Sequence, residues 1–196
     1  MRGRFIVLDG PDGSGTTLHS QLLSDHLQKE GKSVLATAEP STGVIGTSLR
    51  AMLKSGELSG DALQLLFTAD RADHIHRIIE PALTEGTSVV CDRYISSTIA
   101  YGEALNLETA WLENMNKKFI QPDVLIFLLP PMNVIMQRLA ERKSNESLET
   151  EDLQKRVHAA YTRMAKENPS VVVIDSSGSK EETANLIWSA TKSLVP

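Results

Sequence analysis

Five short apolar runs recur along the chain: FIVLD at 5–9, SVLATAEP at 33–40, SVVCD at 88–92, DVLIFLLP at 123–130 and VVVID at 171–175. Four of them are apolar without interruption. A strand with one wet face alternates polar and apolar residues, so a continuous run marks a strand buried on both sides, as when helices cover both faces of a parallel sheet. The segments between the runs carry helical spacing. The expected fold class is therefore α/β, a three-layer sandwich around a five-stranded parallel sheet.

The 196 residues include 20 Lys and Arg against 25 Asp and Glu, a net charge of −5. A chain of this size can bury about 70% of its unfolded surface, enough for a self-sufficient core. The acidic balance argues against a broad hold on nucleic acid or an anionic membrane. A small anionic ligand would need a local basic pocket. Cys91 is the single cysteine, so neither an intramolecular disulfide nor a cysteine cage can form, and a reducing compartment is expected. The apolar run in MRGRFIVLDG is too short for a signal peptide, and no run approaches eighteen apolar residues. These features read as a cytoplasmic chain forming one domain over 1–196, with a short lid segment around 138–151.

The first helix is expected from Thr16, with Leu18, Leu22, Leu23 and Leu27 as its apolar stripe and Gly31 near its stop. Ser41 to Thr47 reads as flexible on composition, followed by helices around 47–54 and 60–84. ERKSNESLETE, residues 141–151, reads as a lid or a surface loop. Ser179 with Glu182 forms a capping box ahead of the last helix.

After the first strand comes Gly10, Pro11, Asp12, Gly13, Ser14, Gly15, Thr16, Thr17, one letter from G-x-x-x-x-G-K-[ST]. Glycines let such a loop curl so that N–H groups converge on phosphate oxygens, and the following helix adds its dipole. Thr17 suits Mg²⁺. Thr16 stands where a lysine would reach the β and γ phosphates, and it is neutral and short. The alternative is a strand-to-helix turn with no ligand, which Gly, Pro, Asp and Ser also favour.

Asp92 and Arg93 end the third strand at the carboxyl edge of the sheet, where open α/β folds bind ligands. There Asp92 can order Mg²⁺ and Arg93 can fork onto a phosphate, although a salt-bridged strand end is equally compatible. Phe67 and Arg71 lie four apart on one helical face, suited to a base and a phosphate or to ordinary packing. Arg138, Arg142 and Lys143 flank the polar segment and are the candidate cations for the charge Thr16 lacks, against the alternative of a solvated charged face. The histidines lack metal-ligand spacing, and Cys91 in its apolar run reads as core.

FIVLDGPDGSGTT, AEP, LLFTADRADH, DRYISSTIAY, RLAERK and DSSGSKEE occur in this order, and together they resemble the thymidylate kinase family. These are P-loop nucleoside-monophosphate kinases that transfer the γ-phosphoryl of ATP to dTMP, use Mg²⁺, serve dTTP biosynthesis and usually work as homodimers. The resemblance implies an ATP cradle of Gly10, Asp12, Gly13, Ser14, Gly15, Thr16 and Thr17, with Asp9 beside it and Ser177 and Gly178 by the adenine. Arg138 and Arg142 resemble lid arginines. For dTMP it implies Asp12 near the sugar, Glu39 near the acceptor and metal, Phe67 stacked on thymine, Arg71 and Arg93 on the phosphate, and Thr98 with Tyr101 over base and sugar. Asp92 would organise the Mg²⁺ region with Thr17. Neither nucleic acid nor a membrane is implied as a partner.

Two positions depart from the pattern. Thr16 replaces the lysine, and Gly102 follows Tyr101 where a glutamine is common, which is expected to loosen a base contact. Arg142 is the first expected substitute for the lysine, then Arg138 or Lys143. The alternatives to dTMP phosphorylation are a kinase for another nucleoside monophosphate, or a weakly catalytic nucleotide-binding protein of the same fold.

Overall fold

A computed structural model describes residues 2–56, 58–142 and 150–192, with the Arg142 side chain excepted. Lys143 and most of the polar stretch lie outside the described residues.

The five apolar runs form strands β1 (Phe5–Asp9), β2 (Val34–Ala38), β3 (Ser88–Asp92), β4 (Val124–Leu128) and β5 (Val172–Ile174). They pair in the order β2-β3-β1-β4-β5, every pair parallel. Side chains alternate faces along a strand, so β1 feeds two cores at once. Ile6 and Leu8 meet Leu23 and Leu27 of α1 (Thr16–Lys29) and Ile187 of α9 (Lys180–Thr191). Phe5 and Val7 meet Ile75, Ile79 and Leu83 on the opposite side. All five residues of β1 are buried, which is why the run has no polar member before Asp9.

The expected helix at 60–84 is α3 (Gly60–His74), a π-helical turn (Ile75–Ile79) and α4 (Glu80–Thr84). Ahead of it lies α2 (Val44–Ser55). Beyond β3 come α5 (Ile95–Ala104) and α6 (Thr109–Asn116), and after β4 come α7 (Met132–Arg142) and α8 (Glu151–Glu167). The capping box of Ser179 and Glu182 starts α9 as expected.

Two local expectations are corrected. Ser41–Thr47 is structured: α2 begins at Val44, and the Ser41 N–H and hydroxyl each donate to Asp70 at 2.6 Å. In α1, Leu18 and Leu22 are 40% and 36% exposed, while the buried face carries Thr16, His19, Ser20 and Ser24 beside Leu23 and Leu27. Close packing under the loop and sheet favours small side chains there. No described helix is long and apolar enough to cross a membrane.

Candidate active site

Strand β1 lies at the point where the strand order reverses, with β3 on one side and β4 on the other. Parallel strands open a crevice at such a point at their carboxyl ends. Residues 10–15 fill it and run directly into α1. Gly13 and Gly15 take φ of 81° and 95°, left-handed values that would strain other residues. The loop carbonyls are held from outside. Arg93 donates to Gly10 O at 2.8 Å, Arg138 to Gly13 O at 3.1 Å, and the Ser176 hydroxyl to Ser14 O at 2.7 Å. The first N–H groups of α1 have no partner within the helix, so they and the dipole face an anion placed at the loop.

Thr16 is 4% exposed and has no charge to offer. His19 stands one turn further along α1, but burial and the Arg138 charge hold its imidazole below the ordinary value, so it stays neutral at pH 7. Arg138 is fixed at the loop on the α7 side, as Arg93 is from β3, and bridges Gly13 O and Ser176 O, the latter at 2.7 Å. The Arg142 backbone ends α7. Ser177 and Gly178 are exposed on the neighbouring loop.

Asp9 is fully buried beneath the loop. It accepts from the N–H groups of Gly10, Tyr94 and Ser97, from the Ser97 hydroxyl at 2.7 Å, and from the Tyr161 hydroxyl at 2.6 Å. Burial pushes its carboxyl up, opposed by the Arg93 charge and these hydrogen bonds. With its oxygens taken, Asp9 locks β1 to α5 and α8. Asp92 is different. Its Oδ2 accepts from the Thr17 hydroxyl at 2.5 Å, while its buried Oδ1 has no partner among the described residues.

The residues expected to hold the monophosphate share one cleft, with a cavity of about 160 Å³: Asp12, Glu39, Phe67, Arg71, Arg93, Thr98 and Tyr101. Arg71 is 1% exposed, paired to Glu39 at 2.7 Å and donating to Asn116 at 2.5 Å and Thr98 at 3.0 Å. Arg93 is more open. It pairs with Asp12 at 2.5 Å and donates to Ser97 at 3.0 Å, from a backbone with φ of 67°. A non-glycine residue held there stores strain, a mark of functional positions. Gly102 does not face this cleft: a Cβ would lie 2.6 Å from two carbons of Leu112, so the expected loosening of a base contact is corrected to tight packing of α5 on α6.

Sequence reasoning missed the supporting residues. Asn116 orients Arg71, Gln154 donates to Asp12 at 3.1 Å, and His74 meets Glu39 at 3.2 Å and Thr37 at 2.7 Å. Ser97 and Gln64 were within reach of helical spacing, four residues after Arg93 and three before Phe67. Asn116, Gln154 and Tyr161 come from distant elements and carry no local signal. Cys91 is fully buried, and burial with the Glu39, Asp92 and Asp9 charges pushes its thiol well up. The folded protein should therefore resist a thiol reagent until it is denatured, and rapid native labelling would contradict this placement.

The family model described as thymidylate kinase matches residues 8–187. A probable thymidylate kinase of Thermococcus gammatolerans is 34% identical over 194 residues, covering 92% of this chain and 91% of the relative. One from Pyrococcus horikoshii is 36% identical, covering 93% and 92%. A thymidylate kinase of a Synechococcus species is 37% identical, covering 96% and 95%. With the phosphate loop at the sheet's switch point and the cleft beside it, the chain belongs to the thymidylate kinase family.

Proposed function

We propose that the chain transfers the γ-phosphoryl group of ATP to dTMP, giving ADP and dTDP, with the phosphate loop holding ATP and the neighbouring cleft holding dTMP. The observation that carries this reading is the convergence of Phe67, Arg71 and Arg93 on one cleft that also contains Asp12 of the phosphate loop. A ring, two guanidinium groups and a loop carboxylate in one cleft suit a nucleoside monophosphate.

An oxygen of the dTMP phosphate attacks the γ phosphorus, the bond to the bridging oxygen of ADP breaks, and the electron pair leaves with ADP. The acceptor is already anionic, so the protein's task is alignment and charge neutralisation. Arg93 grips the acceptor phosphate through a fork that the Gly10 carbonyl, Ser97 and Asp12 keep aimed. Arg71, held by Glu39 and Asn116, supports the nucleotide from the cleft wall beside Phe67, Thr98 and Tyr101. Asp9 positions the loop from below.

Mg²⁺ suits the Thr17 and Asp92 pair, because among the described residues Asp92 Oδ1 is buried without a hydrogen-bond donor. The described residues contain no cluster of three His, Cys, Asp or Glu, and Mg²⁺ does not need one, since it binds through few protein oxygens with phosphates and water. When bound, the ion neutralises phosphate charge. Arg138 contributes the positive charge absent from Thr16, with Arg142 and Lys143 as the further lid cations.

The chain acts as one kinase domain with a lid at 138–151, as a cytoplasmic homodimer without nucleic-acid or membrane partners; exposed Leu65 and Ile78 supply apolar surface for pairing. The test is a coupled assay with ATP and Mg²⁺ and dTMP, dUMP, dCMP, dGMP or dAMP as acceptor. The highest kcat/KM is expected with dTMP. Preference for another acceptor, or no ADP release with any, would overturn the reading.

A further inference from the structure

Gln64 is fully buried on α3, and among the described residues neither its amide nitrogen nor its amide oxygen has a hydrogen-bond partner. It also lines the acceptor cleft. A buried amide with both ends unsatisfied opposes folding, since each group has given up water for nothing, whereas a leucine would fill the same space without that penalty. An occupant of the cleft can supply the missing partners. Phe67 lies three residues further along the helix and Arg71 seven, so all three share one face of α3, and all three line the cleft.

We propose that Gln64 is a specificity-determining residue that hydrogen-bonds the edge of the pyrimidine base. This rests on the reading of the cleft as the dTMP site. A thymine ring stacked on Phe67 presents an N3–H flanked by two carbonyl oxygens, and a planar amide offers an acceptor and a donor side by side, matching the N3–H and one neighbouring carbonyl. Gln64 is among the residues that line the cleft, so an occupant of the cleft reaches the wall that holds its amide. No charge is involved, so the contact adds discrimination to the phosphate grip of the arginines.

The experiment compares Gln64→Leu with the wild-type protein using dTMP and N3-methyl-dTMP as acceptors, alongside thermal melting of the ligand-free forms. The wild type is expected to lose about 100-fold in kcat/KM when N3 is methylated. Gln64→Leu is expected to lose about 100-fold with dTMP, mainly in KM, and to treat the two acceptors within about threefold, while its melting temperature stays level or rises. A purely structural amide would give the opposite: a lower melting temperature with dTMP kinetics and the N3-methyl penalty retained, and that result overturns the proposal. Gln64→Met provides the same comparison if the leucine variant fails to fold. Failure of the wild type to use dTMP at all would instead overturn the acceptor-site reading, and the Gln64 contact with it.

Discussion

Arg93→Ala should lower kcat/KM for dTMP by about 1,000-fold, at the upper end of the loss seen when one donor to a reacting anion is removed. The guanidinium reaches the Gly10 carbonyl, Asp12 and Ser97 at once, so it links the phosphate loop to the acceptor cleft. A lysine could not reproduce that fork, and Arg93→Lys should recover little. The backbone strain gives an independent check. With φ of 67°, Arg93→Gly should be more stable than Arg93→Ala by about 1 kcal/mol, while both lack activity. Activity within tenfold of wild type in either variant would remove Arg93 from the acceptor site.

Arg138→Ala should lower kcat by about 100- to 1,000-fold, with KM for dTMP changed far less. Arg138 is held between the carbonyls of Gly13 and Ser176, so its charge stands at the loop before substrate arrives. Preorganised charge costs no rearrangement during transfer, which is what a lysine in the loop would otherwise provide. The neighbouring His19 cannot substitute, since burial and Arg138 itself keep it neutral. Wild-type KM for dTMP with depressed kcat is the signature of a group acting on the transferring phosphoryl. A rise in KM alone would place Arg138 in substrate binding.

Strands β1 and β3 were legible to the residue because a strand buried on both faces needs unbroken apolar character, and FIVLD and SVVCD have it. The face of α1 was misread for the same reason in reverse: counting leucines finds a stripe, but the surface beneath a phosphate loop is packed by Thr16, His19, Ser20 and Ser24. The cleft residues were legible where chemistry and position coincide, as at Phe67, Arg71 and Arg93. Asn116 and Gln154 were not, because an amide that orients a charge from another element leaves no trace in its own neighbourhood. Gly102 shows the limit of reading one position alone. Its missing side chain answers to Leu112 of α6, and Gly102 is not among the residues lining the cleft.

We propose that arginine charge takes the place of the phosphate-loop lysine in this kinase. The most direct test of this is the kcat for dTMP phosphorylation by Arg138→Ala with and without Thr16→Lys. If the two side chains serve the same phosphate oxygens, the added lysine should recover at least about tenfold of the activity lost by Arg138→Ala. No recovery, or an Arg138→Ala enzyme already close to wild type, would contradict it.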